Sequence, residues 1–238
     1  MILRMNFAIN GWMKNSFIDY PNKICTTVFT SGCSFRCPFC HNGELVLKKN
    51  LEDVNIEEFF SFLEKRKGLI DAVCITGGEP LLMKDIIPFI KKVKEMGYLV
   101  KLDTNGYTNI ETLEEIITSK LVDYIAMDIK NSPSKYAMTA GLKEIDFEKI
   151  KRSVDLIRNS GIPYEFRTTI SKSFHTKDDI IEIAKLLQGS EKYALQQYHY
   201  SNKQLEDKEF DKFSKEELLE IKAEIESFFG EVELRGIN

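Results

Sequence analysis

Val73-Cys74-Ile75-Thr76-Gly77-Gly78-Glu79-Pro80 is a short apolar run that ends in a double glycine and a proline. An apolar stretch of this length bounded by glycine reads as a strand buried on both faces, and proline is tolerated where a helix begins. Ile86, Phe89, Ile90 and Val93 follow at helical spacing, and the pattern stops at Gly97. A second strand is expected over 98–103. Strand, helix and strand in that order form a crossover between parallel neighbours.

The same unit recurs on both sides. Upstream, a strand is expected over 25–30, and Asn55 caps a helix carrying Ile56, Phe59, Phe60 and Leu63. Downstream, Leu113, Ile116 and Ile117 precede a strand over 122–128. Phe147, Ile150, Val154 and Ile157 mark a helix that stops at Gly161 before a strand over 164–170. Ile180, Ile183, Ala184 and Leu187 lead to a last core strand near 193–198, and Ser214-x-x-Glu217 is a capping box for a terminal helix. Six β/α units predict an α/β fold: a partial (β/α)6 TIM-like barrel with a C-terminal helix and strand extension, two units short of a closed eight-stranded barrel.

Length and composition agree with one domain over 1–238, its core at about 22–200 and an extension from about 201. A chain of 238 residues that is 43% hydrophobic can bury a core of this kind. The net charge of −4 argues against an extended phosphate-binding face, so no nucleic-acid partner is expected. No run is long enough to span a membrane, and the N-terminus lacks a basic segment followed by an apolar one. Five cysteines, three of them clustered, do not suggest a disulfide framework, and a cytoplasmic location is expected.

The cluster is Cys33-Ser34-Phe35-Arg36-Cys37-Pro38-Phe39-Cys40. Three thiolates on a cubane of four irons leave one iron without a protein ligand, and an open position allows chemistry at the metal. A structural zinc site wants a fourth ligand; His41 is adjacent to Cys40, too close in sequence for both to reach one tetrahedral centre easily. The residues leave zinc open, and the missing ligand favours the iron–sulfur cluster. Cys25 and Cys74 lie inside apolar runs and read as small buried hydrophobes.

Gly77, Asp103 with Asn105 and Gly106, Asp128 with Lys130, Arg167 and Gln196 to His199 all fall at or just past the expected strand ends. That is the active-site face of β/α barrels. Alone, Asp103 or Asp128 reads equally as a helix cap or turn residue, Gly77-Gly78 as a tight turn, and His199 as a surface or core histidine. Two carboxylates gathered on one face repel each other unless a cation sits between them. Lys130 or a bound monovalent cation would supply it.

Cys33-x3-Cys37-x2-Cys40 followed by Gly77-Gly78-Glu79-Pro80 resembles the radical S-adenosylmethionine superfamily. There, three cysteines hold a [4Fe-4S] cluster whose open iron chelates S-adenosyl-L-methionine, and the Gly-Gly-Glu-Pro segment meets its methionine amino group. Ser16 to Pro21, Val28 to Cys33, Cys40-His41-Asn42, Leu102 to Gly106, Met127 to Lys130 and Leu195 to His199 extend the likeness over nearly the whole chain. They are similar to the glycyl-radical-enzyme activases, most of all to the activating proteins of anaerobic ribonucleoside-triphosphate reductase, with the pyruvate formate-lyase activases as close cousins.

The resemblance implies Cys33, Cys37 and Cys40 as cluster ligands and Asn42, Gly77, Gly78, Glu79, Asp103, Asp128, Lys130 and His199 as cofactor-binding, with a monovalent cation near Asp103 and Asp128. It places Asp19 near the bound glycine loop of a partner, and Arg167 joins it as a candidate substrate contact. Reduced flavodoxin or ferredoxin is the implied electron donor, and a glycyl-radical enzyme the implied partner. Tyr20-Pro21-Asn22 departs from the Gly-Pro-Gly run of the formate-lyase activases, at the substrate loop. Activation of another glycyl-radical enzyme, such as a formate-lyase or a decarboxylase, a radical enzyme acting on a small molecule or on tRNA, and a non-enzymatic metal or redox module remain alternatives, although the strand-end polar residues would have no job in the last.

Overall fold

The computed structural model describes Met5, residues 7–49 and residues 51–237. One sheet runs in the spatial order β1 (Gly11–Ser16), β2 (Cys25–Thr30), β3 (Ala72–Gly77), β4 (Leu99–Thr104), β5 (Tyr124–Asp128), β6 (Tyr164–Ile170), β7 (Lys192–Gln197) and β8 (Glu231–Arg235). All neighbours from β2 to β8 are parallel. Strands β2 to β7 are the expected six-stranded partial barrel, and β8 is the expected C-terminal extension. Among the described residues β1 and β8 do not pair with each other, so the barrel is open along one side.

Strand β1, antiparallel to β2, is the element that the sequence pattern does not announce. It begins with glycine and lacks an apolar alternation. Its place comes from tertiary contacts: Trp12 Nε1–H donates to Thr26 Oγ1 at 2.8 Å, and the indole packs edge-on against Phe59 and Phe62. A strand held at a sheet edge by one large side chain leaves no periodic trace.

The helices are α1 (Gly43–Leu47), α2 (Ile56–Lys65), α3 (Ile86–Glu95), α4 (Ile110–Thr118), α5 (Tyr136–Thr139), α6 (Phe147–Arg158), α7 (Lys177–Leu186) and α8 (Lys215–Ile225). Asn55 caps α2 by accepting the Glu58 N–H, and the Ser214/Glu217 capping box closes reciprocally at α8. A second box at Thr176 and Asp179 starts α7. Helices α1 and α5 are too short to show helical periodicity, and both flank the cysteine loop in space. No described helix is long and apolar enough to cross a membrane.

Side chains alternate between the two faces of each strand. One set, including Val73, Ile75, Val100, Leu102, Ile125, Met127, Phe166 and Leu195, joins Phe59, Leu63, Phe89, Ile90, Leu113, Val154 and Ile183 from the helices in one large core. Each such side chain stabilises the fold by about 1.5–3 kcal/mol. The alternate set faces the lumen, where Cys25, Ala72, Cys74, Tyr124 and Ala126 form a small separate cluster with Tyr20. The rest of that face carries the buried Lys101 and Glu165. The barrel interior is therefore not apolar, and it leads directly to the site.

Candidate active site

Past β2 the chain enters the loop of Cys33, Cys37 and Cys40, which is pinned on three sides. The Gly32 N–H donates to the Leu45 carbonyl at 2.9 Å, the Gly32 carbonyl accepts the Glu79 N–H at 2.8 Å, and the Arg36 N–H donates to the Ala140 carbonyl at 2.7 Å. Gly77 and Gly78 make the second contact possible. A Cβ on Gly78 would collide with the Gly32 carbonyl, and Gly77, at φ +118°, faces the backbone of Thr30. The sequence suggests a ligand for these glycines; the structure shows that they also let two backbone segments meet.

Cys33, Cys37 and Cys40 share the wall of one cavity of about 430 Å³ with Asp19, Asn42, Gly77, Gly78, Asp103, Asp128, Lys130 and Arg167. Glu79 and His199 are the two expected site residues that do not line it. Glu79 is fully buried behind it and accepts from the Leu81 N–H (3.1 Å), the Thr104 hydroxyl (2.8 Å) and the Asn105 N–H (2.7 Å). Burial outweighs these donors and pushes its carboxyl up to about 7. The His199 ring bonds instead to the Gly236 carbonyl at 3.0 Å, and its own carbonyl accepts from His41 Nε2 at 2.7 Å.

Charge inside the cavity is organised around Arg167. Its Nε–H donates to Asp128 at 2.8 Å and its Nη1 to Asp103 at 3.3 Å, so the guanidinium lies between the two carboxylates. Lys130 pairs with Asp128 at 3.1 Å, and Lys101 pairs with Asp103. Burial alone would raise both carboxyls, but the flanking cations outweigh it and hold Asp103 and Asp128 below the usual carboxylate range. Burial alone would likewise lower Lys130; Asp128 reverses the sign. In this structure the positive charge between the two carboxylates is the Arg167 guanidinium, with Lys130 paired to Asp128 alone.

Asp19 comes from the segment joining β1 to β2. Ser16 Oγ shapes that turn by accepting the N–H groups of Ile18 and Asp19, which frees the Asp19 carboxylate to accept from the Thr27 hydroxyl at 2.6 Å. Asn42 Nδ2 donates to the Gly77 carbonyl at 2.8 Å. Sequence reasoning missed Lys101, Glu165 and Arg235, which continue the ion pairs beneath the site; Arg235 grips both oxygens of Glu165 at 3.2 and 2.6 Å. The available signal was a charged residue inside an apolar strand, in Leu99-Val100-Lys101-Leu102 and Tyr164-Glu165-Phe166.

Three thiols and a polar wall at the carboxyl ends of a partial parallel barrel are the features of a radical S-adenosylmethionine enzyme. The family model described as the Radical SAM superfamily matches residues 27–187, and the chain belongs to that superfamily. A protein of Methanocaldococcus jannaschii, named provisionally as a glycyl-radical enzyme activating enzyme, is 36% identical over 242 residues and 98% of each chain. The pyruvate formate-lyase-activating enzyme of Clostridium pasteurianum is 30% identical over 192 residues, 76% of this chain and 78% of its own. Within the superfamily, the chain belongs with the glycyl-radical-enzyme activating enzymes. Among solved structures, Streptococcus suis SuiB bound to S-adenosylmethionine matches with a TM-score of 0.67 at 16% identity over 87% of this chain; the chain spans about half of SuiB, 49%. A domain of a pyruvate-formate lyase-activating enzyme from Bacteroides vulgatus gives 0.54 at 19% identity over 70% of this chain and 99% of its own. These two identities speak for the fold alone.

The superfamily implies a [4Fe-4S] cluster and S-adenosylmethionine, and the donor set fits them. Cys33, Cys37 and Cys40 are free and share one cavity wall. Among the described residues no three His, Cys, Asp or Glu side chains converge on a point for a single ion; in a cubane each thiolate takes its own iron. Burial raises all three thiols, Cys37 to about 12, so they wait for a metal to offset the loss of water.

Proposed function

We propose that this enzyme takes a hydrogen atom from the α-carbon of a glycine in a partner enzyme, and that the partner is anaerobic ribonucleoside-triphosphate reductase. The observation that carries the reading is the single cavity with three cysteines, Arg167 between two carboxylates, and Asp19 on its wall, in a barrel left open between β1 and β8. When bound, the cluster and S-adenosylmethionine supply one-electron cleavage of a sulfonium C–S bond and a 5′-deoxyadenosyl radical to accept that hydrogen. Reduced flavodoxin or ferredoxin is the proposed donor.

The chain's own residues position and shield. Cys33, Cys37 and Cys40 hold the cluster, and Asn42 braces the Gly77 carbonyl beside it. Glu79 ties the ends of β3 and β4 together, fixing the glycine turn that is to meet the cofactor's amino group. Lys130 and Arg167 present positive charge to its carboxylate. A monovalent cation between Asp103 and Asp128 would have to displace the Arg167 guanidinium. His199 would reach the cofactor by releasing Gly236. Asp19 offers a carboxylate to the N–H groups of an extended glycine segment.

A formate-lyase-type partner is the second reading, favoured by the Clostridium pasteurianum relative. Reduced enzyme and S-adenosylmethionine are incubated with either apo-enzyme, and electron paramagnetic resonance reads the glycyl radical. A radical in the reductase alone is expected. A radical in the formate-lyase alone transfers the assignment, and deoxyadenosine without a radical in either favours a small-molecule substrate. Asp19→Asn is expected to keep deoxyadenosine formation without partner while lowering the radical yield with it; parallel loss of both removes Asp19 from the glycine contact.

A further inference from the structure

Glu165 places a carboxylate inside the barrel. It lies on β6 two residues before Arg167, on the same face of the sheet, and is only 2% exposed. Its neighbour in register on β5 is Ala126, which has no polar side chain to offer. A buried carboxylate is tolerated only beside a cation, and two arginines stand within reach.

Arg235 comes from β8. Its Nη1–H donates to one oxygen of Glu165 at 3.2 Å and its Nη2–H to the other at 2.6 Å. Nη2 also donates to Glu233 at 2.8 Å, and Glu233 is held in turn by Lys192 at 2.9 Å, so the guanidinium is anchored from both sides. Strand β7 runs between β6 and β8, and there Ala194 stands level with Arg167 on one side and Glu233 on the other. Tyr193 and Leu195 enter the outer core, which leaves the Ala194 methyl on the lumen face. A side chain that small lets Arg235 reach across to Glu165.

The second arginine is Arg167. Its Nη1 lies 3.3 Å from Asp103 and 3.9 Å from Glu165 Oε1, while its Nε–H donates to Asp128 at 2.8 Å. One guanidinium thus faces three carboxylates, and Glu165 is the farthest of them. Oε1 is also the oxygen that Arg235 Nη1 takes. Arg235 therefore satisfies the carboxylate that would otherwise compete for Arg167. Attraction between opposite charges rises as they approach and is little screened in a buried lumen. A Glu165 released by Arg235 would draw Arg167 down the strand, away from Asp103 and Asp128.

We propose that Arg235 is a positioning residue for the cofactor: by occupying Glu165 it keeps the Arg167 guanidinium between Asp103 and Asp128, where it meets the carboxylate of S-adenosylmethionine. The inference rests on the reading that Arg167 presents its charge to that carboxylate, and not on the choice of partner. It makes the C-terminal strand β8 a working part of the site rather than a cover for the sheet edge.

The test compares the affinity for S-adenosylmethionine of wild type, Arg167→Gln, Arg235→Gln and the double variant Glu165→Gln/Arg235→Gln, by equilibrium dialysis of cluster-loaded protein at matched iron content. Arg235→Gln is expected to weaken binding about fivefold, and the double variant to return to within about twofold of wild type, because no carboxylate is left to draw Arg167 away. A role in stability alone would not be reversed by a second buried substitution. An unchanged affinity in Arg235→Gln, or a double variant as weak as the single one, overturns the proposal. If Arg235→Gln does not fold, Arg235→Lys takes its place. An ammonium holds Glu165 at one point where the guanidinium fork holds two, so a loss of about threefold, again reversed by Glu165→Gln, is expected, and no loss overturns the proposal. An affinity untouched by Arg167→Gln would refute the underlying reading and the proposal together, whereas a loss there without one at Arg235 overturns the proposal alone.

Discussion

Phe166 and Arg167 are neighbours on β6 and point to opposite faces of the sheet. Phe166 enters the large core beneath the helices, among residues that need only be apolar and of fitting volume. Arg167 enters the lumen, where it is held between Asp103 and Asp128 and lies 3.9 Å from Glu165. The outer face is stable because its parts are interchangeable in kind. The inner face tolerates burial because each charge has a named partner, and removing one leaves the others uncompensated. The helix-covered face thus carries stability, and the lumen uses part of it to hold charges where a ligand needs them.

The largest effect expected concerns the loop cysteines against the lumen cysteines. Replacing Cys33, Cys37 or Cys40 with Ala should abolish both cluster loading and deoxyadenosine formation, since the site has no thiolate to spare. Cys25→Ala and Cys74→Ala, in the small inner cluster, should cost roughly 1 kcal/mol in a urea melt and leave the iron content alone. Equal loss of iron from Cys25→Ala would break the distinction.

Next, Phe166→Ala is expected to cost about 3–5 kcal/mol while leaving the affinity for S-adenosylmethionine of the folded, cluster-loaded protein within about twofold. Arg167→Gln should weaken that affinity at least about tenfold, the equivalent of about 1.4 kcal/mol. Urea unfolding and equilibrium binding separate the two readouts, and an affinity untouched by Arg167→Gln would show that the lumen charges serve the fold alone.

Titration sharpens the comparison further, because the outer core holds apolar, thiol and phenol side chains, none of which titrates in the carboxylate range. Glu79 has a folded pKa of about 7 against an ordinary 4.5, so the folded state binds its proton more tightly than the unfolded. Its contribution is complete below about 4.5 and is lost as pH rises through about 7, at about 1.4 kcal/mol per unit of elevation. Asp103 and Asp128 act in the opposite sense: they are lowered, and their contribution is lost on acidification below the ordinary carboxylate range. Cluster-free Glu79→Gln should therefore lose the decline between pH 4.5 and 7 in denaturant melts. A decline that persists in this variant would assign it to another group.

The smallest effect expected is none. With Arg167 supplying the charge between Asp103 and Asp128, cleavage rates should agree within about twofold across sodium, potassium and lithium salts at equal ionic strength, a tolerance of about 0.4 kcal/mol. A clear preference for one ion would mean that the guanidinium yields its place in the loaded enzyme.

Much of this was legible in the residues. Ile86, Phe89, Ile90 and Val93 announced α3 because a helix buried on one side repeats every three or four residues. Cys33, Cys37 and Cys40 stood out because three ligands on one loop need no tertiary information to be neighbours. Strand β1 was not legible, since Trp12 fixes it through Thr26, Phe59 and Phe62, contacts that span many residues. The start of β5 beside β4 was only partly so: the Asp123 side chain takes the Val100 N–H at 2.7 Å, and Val122 falls outside the strand.

The sequence by itself determined the alternation of strands and helices, the parallel sheet and the three-thiol loop, because these depend on short-range periodicity and on residues close along the chain. The tertiary structure alone decided which charge stands between Asp103 and Asp128, that Glu79 braces two strand ends from behind the wall, that the His199 ring turns to Gly236, and that Arg235 reaches Glu165. Each of these joins residues brought together only when the strands set their register and the barrel curls, and an ion pair or hydrogen bond has a reach of a few ångströms that no spacing along the chain encodes.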